Sequence, residues 1–189
     1  MRSNSAHSNA LCRKLAVAGL VAAGLLAGAS SASAQSGGTV APGGSTAATG
    51  PVGKAKLLSS GQAVAPVNAP AAIVNAIAAG NRIRKKPYIW GGGHRSFESS
   101  GYDCSGAVSY VLHGAGMLSS PIPSGPLMKW GAAGKGRWIT VMANGGHTYM
   151  IVAGLRFDTS AMGSGGNGPR WRATKRSPKS FAVRHVSGY

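Results

Sequence analysis

Residues 101–116 of this chain read GYDCSGAVSYVLHGAG, and this stretch decides the fold. Asp103 is a good N-cap and Gly116 a good stop, so the stretch predicts one short helix. Apolar residues recur at the i, i+3, i+4, i+7 spacing, which places them on one face. They are Cys104, Ala107, Val108, Val111, Leu112 and Ala115. The pattern indicates a largely buried helix whose first turn carries a thiol.

Cys104 lies where a helix stabilises negative charge. The first backbone N–H groups of a helix have no partners within it, and the positive end of the dipole points the same way, so a thiolate is favoured there. Two interpretations are open, a nucleophile and a small buried residue that fills the core. The cap at Asp103 and the glycine at Gly106 favour the nucleophile.

The amino terminus predicts export. Arg2, Arg13 and Lys14 form a charged region, residues 15–29 form an apolar run, and residues 32–34 supply the small side chains that a signal peptidase needs. We expect residues 1–34 to be a signal peptide cleaved after Ala34. The apolar run is too short and too rich in Gly and Ala to be a good membrane span, so no transmembrane segment is predicted. The expected location is extracytoplasmic, secreted or in the cell wall.

Cysteine and charge usage narrow the function further. Cys12 leaves with the signal peptide, so Cys104 becomes the only cysteine and an intramolecular disulfide is excluded. Removal of the three basic residues before residue 35 lowers the net charge from +17 to +14. A chain with this charge is expected to bind polyanions, and outside the cell these are anionic lipids or wall polymers rather than nucleic acid. Its three acidic residues are Glu98, Asp103 and Asp158, which lie around the presumed site.

The rest of the chain predicts one α+β domain. Residues 35–70 read as a Gly/Ala/Pro-rich linker that continues as an extended arm, and residues 71–189 read as the domain, with a basic C-terminal tail. We expect a monomer. The segments predicted within the domain are a helix over 71–83, an aromatic-glycine loop over 86–94, the Cys104 helix, a loop over 119–136 and strands over 138–142, 147–153 and 155–159.

A thiolate nucleophile needs a base, and four histidines remain after residue 34. His113 lies on the Cys104 helix but points away, and His185 lies in the basic tail. His94 lies in the glycine loop without rigid support. His147 opens the most apolar strand and is the predicted base, although a buried core histidine is the alternative. No spacing of Cys and His suits a metal, and no cofactor is expected.

Three motifs in this order resemble the NlpC/P60 family of cell-wall peptidases. They are 87–92 (PYIWGG), 103–106 (DCSG) at the start of a helix, and Gly146-His147 at the start of a strand. The resemblance covers about residues 71–160. It implies a papain-like fold with helices packed on a small antiparallel sheet, and a Cys–His–polar triad.

The resemblance also implies the reaction and several roles. The family typically hydrolyses the D-γ-glutamyl bond to diaminopimelate in the stem peptides of peptidoglycan. Tyr88 would lie beside the oxyanion, and Asp103 and Ser105 would help to bind the stem peptide. Peptidoglycan stem peptides and anionic cell-wall polymers are therefore the expected partners.

The chain departs from the family in two places. The family usually has a Pro-Gly-Asp-Leu turn before the histidine strand, whereas residues 136–141 read GRWITV. The third residue of the triad is commonly His, Asn or Gln, about twelve positions after the base. Here Thr159 stands at that position and Asp158 one residue earlier. Because a carboxylate holds an imidazolium better than a hydroxyl does, Asp158 is the predicted third residue. The alternative is an exposed ion pair between Arg156 and Asp158.

The sequence thus predicts an exported cysteine endopeptidase with Cys104, His147 and Asp158 as its triad. Two other classes stay open. One is a catalytically inactive cationic module that binds the cell wall, and the other is a related Cys-dependent amidase or acyltransferase.

Overall fold

The computed structural model describes residues 53–160 and 167–189. The predicted signal peptide and linker residues 35–52 lie outside the described residues. The described elements follow in chain order: β1 (Lys56–Leu57), β2 (Ala63–Val64), α1 (Ala71–Ile83), α2 (Cys104–Gly114), α3 (Ser124–Leu127), β3 (Ala132–Ala133), β4 (Ile139–Ala143), β5 (Thr148–Val152), β6 (Leu155–Asp158), β7 (Arg170–Arg172) and β8 (Ala182–His185).

The main sheet has six strands in the order β3-β8-β4-β5-β6-β7, and every pair in it is antiparallel. Helices combined with an antiparallel sheet confirm the predicted α+β class. β5 lies inside the sheet, and all of its residues except the partly buried Ile151 are buried, in keeping with the apolar run from His147. In the part of the chain that the structure describes, no helix is long and apolar enough to cross a membrane.

Helix α2 begins and ends where its sequence predicts. The Asp103 side chain accepts a hydrogen bond from the backbone N–H of Gly106, which caps the first turn. Gly116 adopts a φ of 74°, a left-handed conformation that glycine tolerates best, and its N–H returns to the carbonyl of His113. The helix is buried along most of its length, so Cys104 is held at one end of a fixed element.

Regular structure is found both in the basic tail and in the predicted loop over 119–136. The basic tail supplies β7 and β8, and β8 lies between β3 and β4. In β7, Trp171 is buried between two half-exposed arginines, which is the alternation of a strand with one face in the core. The predicted loop over 119–136 contains α3 and β3. The charged residues of β7 alternate with a residue that packs in the core.

The arm before α1 is tied to the domain. β1 and β2 form a small antiparallel hairpin, and the Asn81 side chain bonds both the N–H and the carbonyl of Ala63. The same amide oxygen accepts from Trp171 Nε1 at 3.0 Å. Gly80 lets the Trp171 ring approach, since an added Cβ would overlap that ring. One asparagine thus joins the hairpin, α1 and β7.

Candidate active site

Cys104 is a half-buried free thiol at the first residue of α2. Close packing fixes this end of the helix, because a Cβ on Gly106 would overlap the carbonyl oxygen of Gly92. The Asp103 N–H also donates to that oxygen, at 3.2 Å. The glycine loop and the start of the helix are therefore in direct backbone contact beside the thiol.

His147 is positioned by the turn between β4 and β5. The side-chain oxygen of Asn144 accepts from the backbone N–H of Gly146 at 3.0 Å and of His147 at 2.8 Å. Asparagine followed by glycine is typical of such a turn, because its side chain bonds the backbone ahead of it. The turn places His147 directly before β5 with a side chain that is 19% exposed.

The His147 ring lies between Asp158 and Cys104. Its Nε2 lies 2.9 Å from Asp158 Oδ1, and its side chain is close enough to that of Cys104 for the two to interact. Since Asp158 occupies Nε2, Nδ1 is the nitrogen left for the sulfur. Burial alone would lower the pKa of His147, but its hydrogen bonds to Asp158 and Cys104 and the charges of both groups raise the pKa to about 9. An imidazolium at neutral pH is the form that pairs with a thiolate.

The Asp158 side chain is fully buried. Oδ1 accepts from His147 and from the N–H and hydroxyl of Ser160, each at 2.9 Å. Oδ2 faces Arg176 Nη1 at 3.2 Å and Arg156 Nε at 3.5 Å. Burial would raise the pKa of Asp158, but the hydrogen bonds from His147 and Ser160 outweigh it and hold the pKa well below its usual range. The carboxylate is therefore ionised when it holds the His147 ring.

The alternatives for the third residue are both disfavoured. Arg156 and Asp158 do pair, but both residues are buried, so the pair is not the exposed one that the strand pattern allowed. Arg156 and Asp158 lie on the same face of β6, but that face is not exposed. The segment after β7 covers it, as the contact between Arg176 and Asp158 shows. The Thr159 hydroxyl is buried without a hydrogen-bond partner among the described residues. Of the two candidates, Asp158 is the one bonded to His147.

Tyr88 lies within electrostatic reach of the thiol. Burial, followed by the negative charges of Cys104 and Asp103, raises the pKa of Tyr88. The phenol therefore stays protonated and can donate a hydrogen bond. Its loop is tied to the start of α2, because the N–H of Tyr102 donates to the carbonyl of Pro87 at 3.0 Å.

Asp103 and Ser105, predicted to contact the stem peptide, are 5% and 2% exposed. Asp103 Oδ1 accepts from Gly106 N–H and from the Ser105 hydroxyl, and Oδ2 accepts from Gly91 N–H at 3.1 Å. His94 Nε2 completes the group, at 2.8 Å from Asp103 Oδ2 and 3.0 Å from Ser105 Oγ. Burial and these contacts together favour a structural part for both side chains.

The other histidines lie elsewhere. The His113 ring stacks on Phe97 at a centroid distance of 3.8 Å, and Nδ1 lies 2.9 Å from the Leu118 carbonyl. His185 lies on β8 with Nδ1 3.2 Å from the Gly134 carbonyl. Neither is a partner of Cys104.

Two site residues escaped sequence reasoning. His94 was expected to lack rigid support, yet Asp103 and Ser105 hold its ring. Arg176, which lies 18 residues after Asp158, reaches that carboxylate from the basic tail. The composition could have indicated such a contact, because a chain with many cations and three carboxylates pairs a buried carboxylate with a cation. The sequence could not identify Arg176 as that cation.

No group of three or more His, Cys, Asp or Glu that could hold a metal ion occurs among residues 53–160 and 167–189.

Similarity to known proteins is found at the level of solved structures. No protein-family profile and no curated protein sequence matches the chain. It is similar to the peptidoglycan hydrolase RipB of Mycobacterium tuberculosis, at 24% identity and a TM-score of 0.46 over 61% of this chain and 65% of that chain. This chain thus spans just under two thirds of the RipB structure.

Two further structures from Mycobacterium tuberculosis are similar. A hypothetical invasion protein is 21% identical, with a TM-score of 0.46 over 72% of this chain and 70% of that chain. RipD, a non-catalytic NlpC/P60 domain protein adapted to peptidoglycan binding, is 20% identical, with a TM-score of 0.46 over 62% of this chain and 99% of that chain.

Proposed function

We propose that this protein is an exported cysteine endopeptidase of the NlpC/P60 type that hydrolyses peptidoglycan stem peptides. The supporting observation is the connected set of thiol, imidazole and buried carboxylate in Cys104, His147 and Asp158. A histidine that merely fills a core needs only to satisfy its polar atoms. His147 instead has a thiol on one side and an ionised carboxylate on the other, which is the arrangement of an activated nucleophile.

In the proposed reaction the Cys104 thiolate attacks the amide carbonyl of the substrate. The carbonyl oxygen becomes an oxyanion, stabilised by the backbone N–H of Cys104 and by the hydroxyl of Tyr88. Imidazolium His147 then gives its proton to the amine as the C–N bond breaks, which leaves an acyl group on the sulfur.

Water completes the turnover. Neutral His147 removes a proton from water as the water attacks the thioester, and Cys104 leaves as the thiolate with the imidazolium restored. Asp158 keeps the ring in place through both steps, because its carboxylate is fixed by Ser160 and Arg176.

The proposed substrate bond is the D-γ-glutamyl bond to diaminopimelate, as the sequence motifs imply. Stem peptides carry carboxylates, and the net charge of +14 that remains after removal of Arg2, Arg13 and Lys14 with the signal peptide suits them and the anionic polymers of a wall. A direct contact of Asp103 or Ser105 with the stem peptide would require them to exchange contacts within the chain. Their proposed part is therefore to hold the loop of Tyr88 against Cys104.

The geometry favours an enzyme over an inactive wall-binding module, since such a module needs neither the Cys104–His147 contact nor Asp158. Thiol alkylation separates the two classes. We expect alkylation of Cys104 to be faster in the wild type than in His147→Ala, and equal rates would favour the module.

Release of amino groups from purified peptidoglycan tests the function. The wild-type protein and a His113→Ala variant should release them, whereas His147→Ala should not. His113 is the matched control because it is a histidine held away from the thiol. Equal release by all three proteins would contradict the proposal.

A further inference from the structure

A groove of about 720 Å³ runs along the face of the sheet opposite α1 and α2. Met142, Tyr149 and Ile151 line it, and they alternate along β4 and β5 with residues of the helix-side core. The lining residue Tyr149 lies beside His147, with the two ring centroids 6.4 Å apart. Gly154, in the turn after β5, also lines the groove.

Cations from separate segments line this groove. Lys54 precedes β1, Lys135 follows β3, and Lys175 and Arg176 follow β7. None of the three lysines forms an ion pair with a described side chain. The chain has three acidic residues in all, and none of them lines the groove. No side chain of this protein can therefore neutralise the lysines, so charge complementarity points to an anionic ligand.

One buried donor group without an acceptor among the described residues lines the groove, and a second lies on the neighbouring strand β6. Trp138 lines the groove and is 2% exposed, yet its Nε1–H lacks a hydrogen-bond partner among the described residues. Arg156 stands opposite the groove residue Ile151 in the β5–β6 register and is 1% exposed. Its guanidinium N–H groups likewise have no hydrogen-bond acceptor among the described residues, and its one ion-pair contact is that of Nε with Asp158 Oδ2 at 3.5 Å. Unpaired buried donors are costly, so they mark a place for an acceptor.

The apolar residues of the groove, its floor, distinguish between an anionic polymer and an acidic peptide as the ligand. A polymer of phosphodiesters offers no apolar groups to Met142, Ile151 and Leu155. A peptide offers apolar side chains for this floor, backbone carbonyls for the Trp138 N–H and carboxylates for the lysines. We propose that this groove binds an acidic peptide. That this peptide is a second stem peptide of the same wall rests on the proposed function. That the groove binds an acidic peptide does not.

Binding is measured in a Cys104→Ala background, so the result does not depend on hydrolysis. The probe is a fluorescently labelled peptide of alternating Glu and Ala residues, and the control probe carries Gln in place of Glu. The groove variant is Lys54→Gln, Lys135→Gln and Lys175→Gln combined. Its matched control removes the same charge from exposed lysines elsewhere: Lys85→Gln, Lys86→Gln and Lys129→Gln.

We expect the groove variant to weaken binding of the Glu peptide about tenfold, and the matched control to leave it unchanged. Trp138→Phe, which leaves the charge intact, should weaken binding about threefold through the lost N–H donor. Equal losses in the two lysine variants, or equal binding of the Gln peptide, would overturn the inference. Inorganic polyphosphate that competes better than the Glu peptide would also overturn it. Such a failure would leave amino-group release from peptidoglycan, and with it the proposed function, untouched.

Discussion

Arg176 Nη1 lies 3.2 Å from Asp158 Oδ2, on the carboxylate whose other oxygen bonds His147. The same nitrogen donates to the Ser160 hydroxyl at 2.8 Å, and the guanidinium lies 5.4 Å from the Tyr149 ring. A residue of the basic tail thus fixes the orienting group of the proposed triad. It also sets the charge around the His147 ring, because it is a cation close to the imidazolium.

Arg176→Gln should therefore change the pH profile of hydrolysis as well as its rate. Loss of a neighbouring cation stabilises the imidazolium, so the pKa of His147 should rise further above its value of about 9. The alkaline limb of the kcat profile should move to higher pH, and kcat should fall because Asp158 is less well held. Lys179→Gln, which removes an exposed cation from the same segment, is the control and should change neither the alkaline limb nor kcat. An unchanged limb in Arg176→Gln would contradict this role.

Asp158→Asn should move the alkaline limb the other way. The carboxylate raises the pKa of His147 through a hydrogen bond and its charge, and asparagine keeps only a hydrogen-bonding group. The limb should fall below pH 9, and activity should drop less than in Cys104→Ser or His147→Ala, which remove reacting groups. Thr159→Val should be close to wild type, since that hydroxyl has no described partner. If Thr159→Val silences hydrolysis and Asp158→Asn does not, the third residue is Thr159.

The stability of the fold should depend on His147 in the alkaline range. Its folded-state pKa is raised from 6.5 to about 9, so its contribution is complete below pH 6.5 and is lost as the pH rises through 9. Urea denaturation should show a wild-type free energy of unfolding that declines across this window. In His147→Gln the decline should be smaller. A wild-type curve that rises across the window would contradict the raised pKa.

Gly106→Ala should damage both stability and activity. Its Cβ would overlap the Gly92 carbonyl and push the Tyr88 loop away from the start of α2, at a cost of about 1–3 kcal/mol. Gly125→Ala is the control, because a Cβ there meets nothing within 4 Å. Gly106→Ala should have a lower melting temperature and a lower rate of hydrolysis than Gly125→Ala. Equal melting temperatures would contradict the close packing.

Local signals explain what could be read from the sequence. The start of α2 at Cys104 depends on Asp103 and its neighbours, and the position of His147 depends on the Asn144 turn. Each signal lies within a few residues of the group it places. The Asp158 prediction required only a count along the returning strand and the chemistry of a carboxylate.

Long-range packing explains what could not be read. Asp158 appeared to share an exposed face with Arg156, and only the segment that carries Arg176 buries them. His94 is fixed by residues nine and eleven positions away, across a glycine loop without periodicity. β8 enters the sheet beside β4, and no pattern in residues 182–185 predicts that neighbour.

The central claim is that Cys104 is the nucleophile of a peptidoglycan hydrolase. Mass spectrometry of purified peptidoglycan fragments, after incubation with wild-type protein or with Cys104→Ser, tests it most directly. We predict that the wild type yields fragments with a new amino terminus at diaminopimelate and that Cys104→Ser yields none. Cleavage by Cys104→Ser at the wild-type rate would contradict the enzymatic account.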